Sequence, residues 1–397
     1  MRMKNTLVFL TTVILLASCG GDNEGTDPDA PRGVTATSIR VGSHTDLSGP
    51  LAIWGVPMVN GMRQRFDELA EAGGVHGRTI DFVVEDTQYQ VPVAVKAVNK
   101  LIHVDEIFAM LGAMGTPHNH ATFERLFDAN VPSLFPLTAA ESMYEPHHPM
   151  KFSYFVSYQN QVRGGMAYIV EHNEIGKVCL QAPGTDYGSE VAEGYEAAVA
   201  ELGLESVYAG RHKGSETDFV GTATSIKNSG CEMLLLGAFV KDTILLYTAV
   251  RDAGWEGIVL TNMVPYLPEM PSAADGRMEG MYASAPFYVP NFTDLGEEEW
   301  GREWYERYVA AHGEEPAAQS VIGYVMADLL IKGLESAGPD LTVEKLVAAI
   351  EQINHYEDPF GGPPLSFGPD KHVAGESLNL YQVIEWKWAT VAEAVPY

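Results

Sequence analysis

The chain has 397 residues, 46% of them hydrophobic and 20% charged, enough apolar material for two or three packed domains or one large one. Lys+Arg total 25 against Asp+Glu 53, a formal charge of −28, which excludes a basic nucleic-acid footprint and a basic patch docking on anionic lipid. Three cysteines exclude a disulfide-built scaffold, and beyond the N-terminus the longest strongly apolar run, Met233–Val240, falls far short of the roughly 20 residues of a membrane helix.

At the N-terminus, Arg2 and Lys4 precede an apolar run over Leu7–Leu16, the n- and h-regions of an export signal. Leu16-Ala17-Ser18-Cys19 follows and resembles the lipobox of bacterial lipoproteins. That resemblance implies cleavage of residues 1–18, a lipid on the Cys19 thiol, and an exported protein held at a membrane surface. Residues 19–36 are rich in Gly, Asp and Pro with no apolar period, and are expected to form a flexible tether.

From residue 37 strands alternate with helices. Ser38–Val41 reads as a strand. Met58, Met62, Phe66 and Leu69 share one face of a helix expected over Pro57–Ala72, with Pro57 at its first position and Gly73-Gly74 at its stop. Thr79–Glu85 is a strand, Pro92–Val104 a helix, and Ile107–Leu111 a strand apolar enough to be buried on both faces. Thr116-Pro117 has the residues of an N-cap and first helical position, and Val131–Phe135 is a fourth strand. The pattern restarts near residue 177: strands at Lys177–Gln181, Glu205–Ala209, Met233–Gly237 and Gly257–Leu260, helices at Tyr187–Leu202, Asp218–Ser229 and Thr243–Ala253. Two βαβ series predict an α/β protein of two doubly wound, parallel-sheet lobes. Ligands of open α/β sheets bind beyond the strand C-termini, so the cleft between the lobes is the expected site.

Ile39-Arg40-Val41-Gly42 followed by Leu47-Ser48-Gly49-Pro50-Leu51-Ala52-Ile53-Trp54-Gly55 resembles the opening of the type I periplasmic binding proteins, in their leucine/isoleucine/valine-binding branch. Gly73-Gly74-Val75-His76-Gly77-Arg78, Asp186-Tyr187-Gly188, Thr217-Asp218-Phe219, Arg251-Asp252-Ala253-Gly254 and Gly323-Tyr324 follow in family order over about residues 37–388. The resemblance implies a venus-flytrap receptor with three interlobe crossovers. Lobe one would comprise 37–157 plus 286–375, and lobe two 158–285 plus 376–397. The implied partners are a small-molecule ligand, the membrane subunits of an ABC permease, and the membrane through the lipid anchor. No cofactor is expected, and the chain is expected to be a monomer.

The motifs of nucleotide binding, nucleophile elbows and zincin helices are absent from the sequence, and the reading is of a non-enzyme. His118-x-His120 cannot share a helix face, and His147-His148 lies in a Pro-rich loop, so neither is expected to hold metal. Cys179 and Cys231 fall on or just before neighbouring strands. They are expected as buried thiols, a disulfide remaining chemically open to an exported chain.

Candidate ligand residues sit after strands. Thr116 offers a hydroxyl at a helix start, with the N–H groups after Pro117, that of His118 first, free to meet a carboxylate. The family uses a serine or threonine there, and Leu137-Thr138-Ala139 corresponds to its second ligand loop. By the same resemblance Trp54, Tyr187 and Phe239 supply aromatic walls. The branched-chain binders place an acid after the strand that corresponds to Gly257–Leu260, where it neutralises the ligand's ammonium. This chain has Met263 there, with Asp242 and Glu269 as the nearest possible substitutes. The expected ligand is therefore branched-chain amino acid-like or, better, an aromatic or aliphatic carboxylate or amide. The alternative is a regulatory lipoprotein of the same fold, an activator of cell-wall synthesis acting by protein contact.

Overall fold

The computed structural model describes residues 31–287 and 299–397. The expected signal segment 1–18, Cys19 and the tether up to residue 30 lie outside the described residues. Pro31–Thr35, expected as tether, packs on the first lobe instead: the Gly33 carbonyl accepts the Arg40 N–H at 2.7 Å, and Val34 is buried.

The first lobe is built on β1 (Ser38–Thr45), β2 (Thr79–Asp86), β3 (Ala109–Leu111), β4 (Ser133–Leu134) and β5 (Lys151–Phe152). They form one parallel sheet in the order β2-β1-β3-β4-β5. Its connections are α1 (Ala52–Glu71), α2 (Val91–His103), and the short α3 (Thr116–His120) and α4 (Phe123–Asp128). The first helix begins five residues before the expected Pro57. The Asp46 carboxylate accepts the N–H groups of Gly49 and Leu51, at 2.5 and 2.7 Å, and this turn starts the helix at Ala52. Pro57 then lies inside it, where only the Ile53 carbonyl loses its helical partner.

The second lobe begins with α5 (Tyr158–His172) and continues through β6 (Lys177–Pro183), α6 (Asp186–Leu202), β7 (Glu205–His212), α7 (Val220–Asn228), β8 (Met233–Leu236), α8 (Val240–Asp252), β9 (Ile258–Thr261) and β10 (Tyr282–Ala285). The chain then returns to lobe one as α9 (Glu299–His312), α10 (Ala318–Ala337) and α11 (Val343–Glu351). It ends in lobe two as the hairpin β11 (Leu378–Ile384) and β12 (Lys387–Val395). The second sheet runs β12-β11-β10-β9-β8-β6-β7, parallel except for the antiparallel hairpin. Every residue of β8 is buried, as a parallel strand covered on both faces requires.

The return of α10 to lobe one rests on small residues. A Cβ on Gly61 of α1 would stand 1.8 Å from the Ser320 carbonyl oxygen, and one on Gly323 of α10 2.0 Å from that of Met58. The helices touch backbone to backbone, and the Arg65–Asp328 ion pair at 2.8 Å locks the crossing. In lobe two, Cys179 and Cys231 are joined as a disulfide rather than standing as free thiols. β6 pairs directly with β8, which starts two residues after Cys231, and this brings their Cα atoms to 5.9 Å. Among the described residues no helix is long and apolar enough to cross a membrane.

Candidate functional site

A cavity lies where strand ends of both sheets face each other. Lobe one contributes Leu51 just before α1 and Trp54 in its first turn, Tyr89 after β2, Met114-Gly115-Thr116 after β3, and Leu137-Thr138 after β4. Lobe two contributes Tyr158 at the start of α5, Tyr187 after β6, Phe239 after β8, and Met263-Val264 after β9. Each of the strand-end residues follows a strand C-terminus, where the topology of doubly wound sheets places ligands.

Thr116 is the first residue of α3, with Gly115 in the capping position at φ 95°. Gly115 is required twice over there, since a Cβ would also stand 2.4 Å from the His118 ring. Contrary to the expected N-cap role, the Thr116 hydroxyl does not bond its own helix. It meets the Thr138 hydroxyl at 2.7 Å, both side chains buried. The Thr138 side chain also hydrogen-bonds the Tyr158 phenol, whose pKa is raised because burial opposes the phenolate. The backbone N–H groups of Thr116 and Thr138 take no partner among the described residues. One end of the cavity therefore offers neutral donors from two successive strand ends.

Much of the remaining lining is aromatic. The Tyr187 ring lies 5.2 Å from Phe239 and 4.8 Å from Tyr158, and Tyr89 meets Phe239 edge to face at 5.9 Å. The Tyr187 phenol donates to Asn262 Oδ1 at 3.1 Å, and burial pushes its pKa well above the ordinary value. No Asp, Glu, Lys, Arg or His is among the described residues lining the cavity. Asp242 is buried against His212 at 3.3 Å and Glu269 is exposed, and neither lines the cavity.

Of the expected ligand residues, the cavity gathers Trp54, Thr116, Leu137, Thr138, Tyr187, Phe239 and Met263. Three stand off it. Pro117 is the second residue of α3 and does not line the cavity. His118 is buried with its ring 4.6 Å from Tyr89, on lobe-one packing rather than the cavity. Ala139 is buried, and its carbonyl accepts the Tyr158 N–H at 2.7 Å, which seats the first residue of α5. Sequence reasoning missed Leu51, Tyr89, Met114, Gly115, Tyr158 and Val264. Tyr89 stands two residues before α2 and Tyr158 opens α5, positions next to a helix start that could have marked them.

His120 leaves α3 towards lobe two, 2.8 Å from Asp186, and Ser142 reaches Glu190 of α6 at 3.1 Å. These contacts close the cleft rim. Among the described residues no group of three or more His, Cys, Asp or Glu could hold a metal ion.

Residues 38–387 match the family model described as periplasmic binding protein, and the chain belongs to that family. It has the type I fold of that family, two parallel-sheet α/β lobes about a cleft. The chain is 21% identical to the leucine-, isoleucine-, valine-, threonine- and alanine-binding protein of Pseudomonas aeruginosa, over 89% of this chain and 91% of that one. The fold is shared with the fatty acid ABC transporter substrate-binding protein from Thermomonospora curvata, at a TM-score of 0.79 and 21% identity over 93% and 95% of the two chains. It is shared also with a solute-binding protein of R. palustris solved in complex with benzoate, at 0.77 and 16% identity over 90% and 97%.

Proposed function

We propose that this receptor captures a small carboxylate with an aromatic or branched aliphatic body, or its amide, and presents it to the membrane subunits of an ABC permease. One observation carries the reading: the cavity wall holds neutral donors and aromatic rings but no ionised side chain. The family resemblance adds that Met263 takes the position where the branched-chain binders place an acid. A zwitterionic amino acid closed into such a site would bury its ammonium without a partner, at a cost of several kcal/mol. A carboxylate needs no cation there, because hydroxyl and backbone donors of Thr116 and Thr138 converge on one end. Trp54, Tyr187 and Phe239 then cover a planar or branched body with apolar surface. The benzoate complex of the R. palustris protein supports an aromatic acid in this fold, whereas the name of the P. aeruginosa relative supports an aliphatic amino acid.

The protein acts as a monomer tethered by a lipid on Cys19, and ligand closes the two lobes by touching both. A thermal-shift panel tests the ligand class, because ligand at 100 times its dissociation constant stabilises the native state by about 2.7 kcal/mol. Benzoate and branched aliphatic acids should raise the unfolding temperature. A rise with leucine, isoleucine or valine alone would overturn the reading.

A further inference from the structure

Tyr89 lines the cavity from the loop between β2 and α2, where two successive residues other than glycine are left-handed, Gln88 at φ 51° and Tyr89 at φ 53°. A bulky residue in that region is strained, and the strain persists only where neighbouring groups impose it. Two side chains do so here. Asp86 Oδ1 accepts the Gln88 N–H at 3.0 Å, and Thr87 Oγ1 accepts the Tyr89 N–H at 3.3 Å. Asp86 also accepts the Leu47 N–H at 2.9 Å and Thr87 donates to the Thr45 carbonyl at 3.1 Å, so the turn is tied to the end of β1. The turn carries the Tyr89 ring to Gly115, where a Cβ would stand 3.1 Å from Tyr89 Cε2. That ring carbon adjoins the one bearing the hydroxyl, so the phenol lies beside Gly115-Thr116, at the polar end of the cavity.

Of the three phenols that line the cavity, Tyr158 is bonded to Thr138 and Tyr187 to Asn262. The Tyr89 hydroxyl takes no partner among the described residues, and it is not sealed among protein atoms either. Burial first and the Tyr158 phenol second raise its pKa, so it keeps its proton at neutral pH and can donate it.

We infer that Tyr89 is a ligand-binding residue that selects an acid over its amide, its phenol donating to the carboxylate that Thr116 and Thr138 also hold. This rests on the carboxylate reading of the site and narrows it to the acid. A carboxylate only accepts, and its roughly four lone-pair sites can take the phenol proton together with the backbone and hydroxyl donors. A hydrogen bond to such an ionised acceptor is about twice as strong as one to a neutral oxygen. A primary amide has one oxygen for the same donors, and it turns two N–H groups of its own towards backbone N–H groups that cannot accept them.

The test is calorimetric titration of the mature wild type and of Tyr89→Phe with benzoate and benzamide. Phenylalanine keeps the ring that meets His118 and Phe239 and removes the oxygen alone. The wild type should bind benzoate at least about tenfold more tightly than benzamide, and Tyr89→Phe should weaken benzoate about tenfold while changing benzamide by no more than about threefold. Equal losses for the two ligands, or no loss for benzoate, would overturn the role of Tyr89 and leave the carboxylate reading standing. Equal binding of the two by the wild type would overturn it as well, even where the variant fails to fold. Binding of neither ligand, or of benzamide alone, would overturn the carboxylate reading with it.

Discussion

Tyr89 of lobe one and Phe239 of lobe two meet edge to face across the cleft, their ring centroids 5.9 Å apart and their planes at 83°. The contact exists only while the lobes are together, and both rings line the cavity. It therefore contributes to closure rather than to the stability of either lobe. An aromatic pair of this geometry is worth about 0.5–1.5 kcal/mol beyond its buried area. Phe239→Ala should weaken ligand binding about tenfold, with little change in the unfolding midpoint, as equilibrium titration and denaturation together would show.

The Thr116–Thr138 hydroxyl pair is the polar end of the cavity. Thr138→Val keeps the shape of the side chain and removes the oxygen that lies 2.7 Å from Thr116 Oγ1. Affinity for a carboxylate should fall by about 1–2 kcal/mol, roughly five- to thirtyfold. Affinity for the corresponding apolar body without a carboxylate should not change, and parallel titrations of the two ligands separate the cases.

The fold was legible because the apolar periods are strong. Met58, Met62, Phe66 and Leu69 mark one helix face, and all four are buried. Thr116, Thr138 and Tyr187 were reached through the family resemblance, and each lies in the loop or helix start after a strand, where the cavity forms. The start of α1 was not legible, because it depends on the Asp46 carboxylate folding back onto Gly49 and Leu51, a contact that helix periodicity does not encode. The disulfide was not legible either, since residues 52 apart in sequence meet only through the pairing of β6 with β8. His118 was misplaced because its ring turns towards Tyr89, a residue from a different connection. Asn262 carries no motif, and the two donors that meet on its Oδ1, the Val264 N–H and the Tyr187 phenol, are evident only in the folded chain.

His44 gives the stability a pH signature. It sits fully buried on β1, with no hydrogen-bond partner for either ring nitrogen among the described residues, and burial first and the nearby His118 second pull its pKa down to about 3. In the unfolded chain it titrates near 6.5. Below that pH the unfolded state gains a proton that the folded state refuses. The stabilisation is complete above about pH 6.5 and is lost as the pH falls towards 3, by about 1.4 kcal/mol per pH unit. His118, also lowered by burial, adds a contribution of the same sign. Urea midpoints measured at pH 7, 6 and 5 should fall for the wild type and fall less steeply for His44→Leu.

Cys19 is proposed as the lipid attachment point. Cys19→Ser in an expressed precursor should leave the protein exported but free of membranes, as fractionation of cells would show. Membrane partitioning equal to that of the wild type would exclude the anchor.

Small-angle scattering tests the central claim, that two lobes close on a small carboxylate without an ammonium, most directly. Radii of gyration of the mature chain would be compared with no ligand, with saturating benzoate and with saturating leucine. Benzoate should shrink the radius by lobe closure, and leucine should leave it unchanged. A radius that shrinks with leucine and not with benzoate would contradict the account.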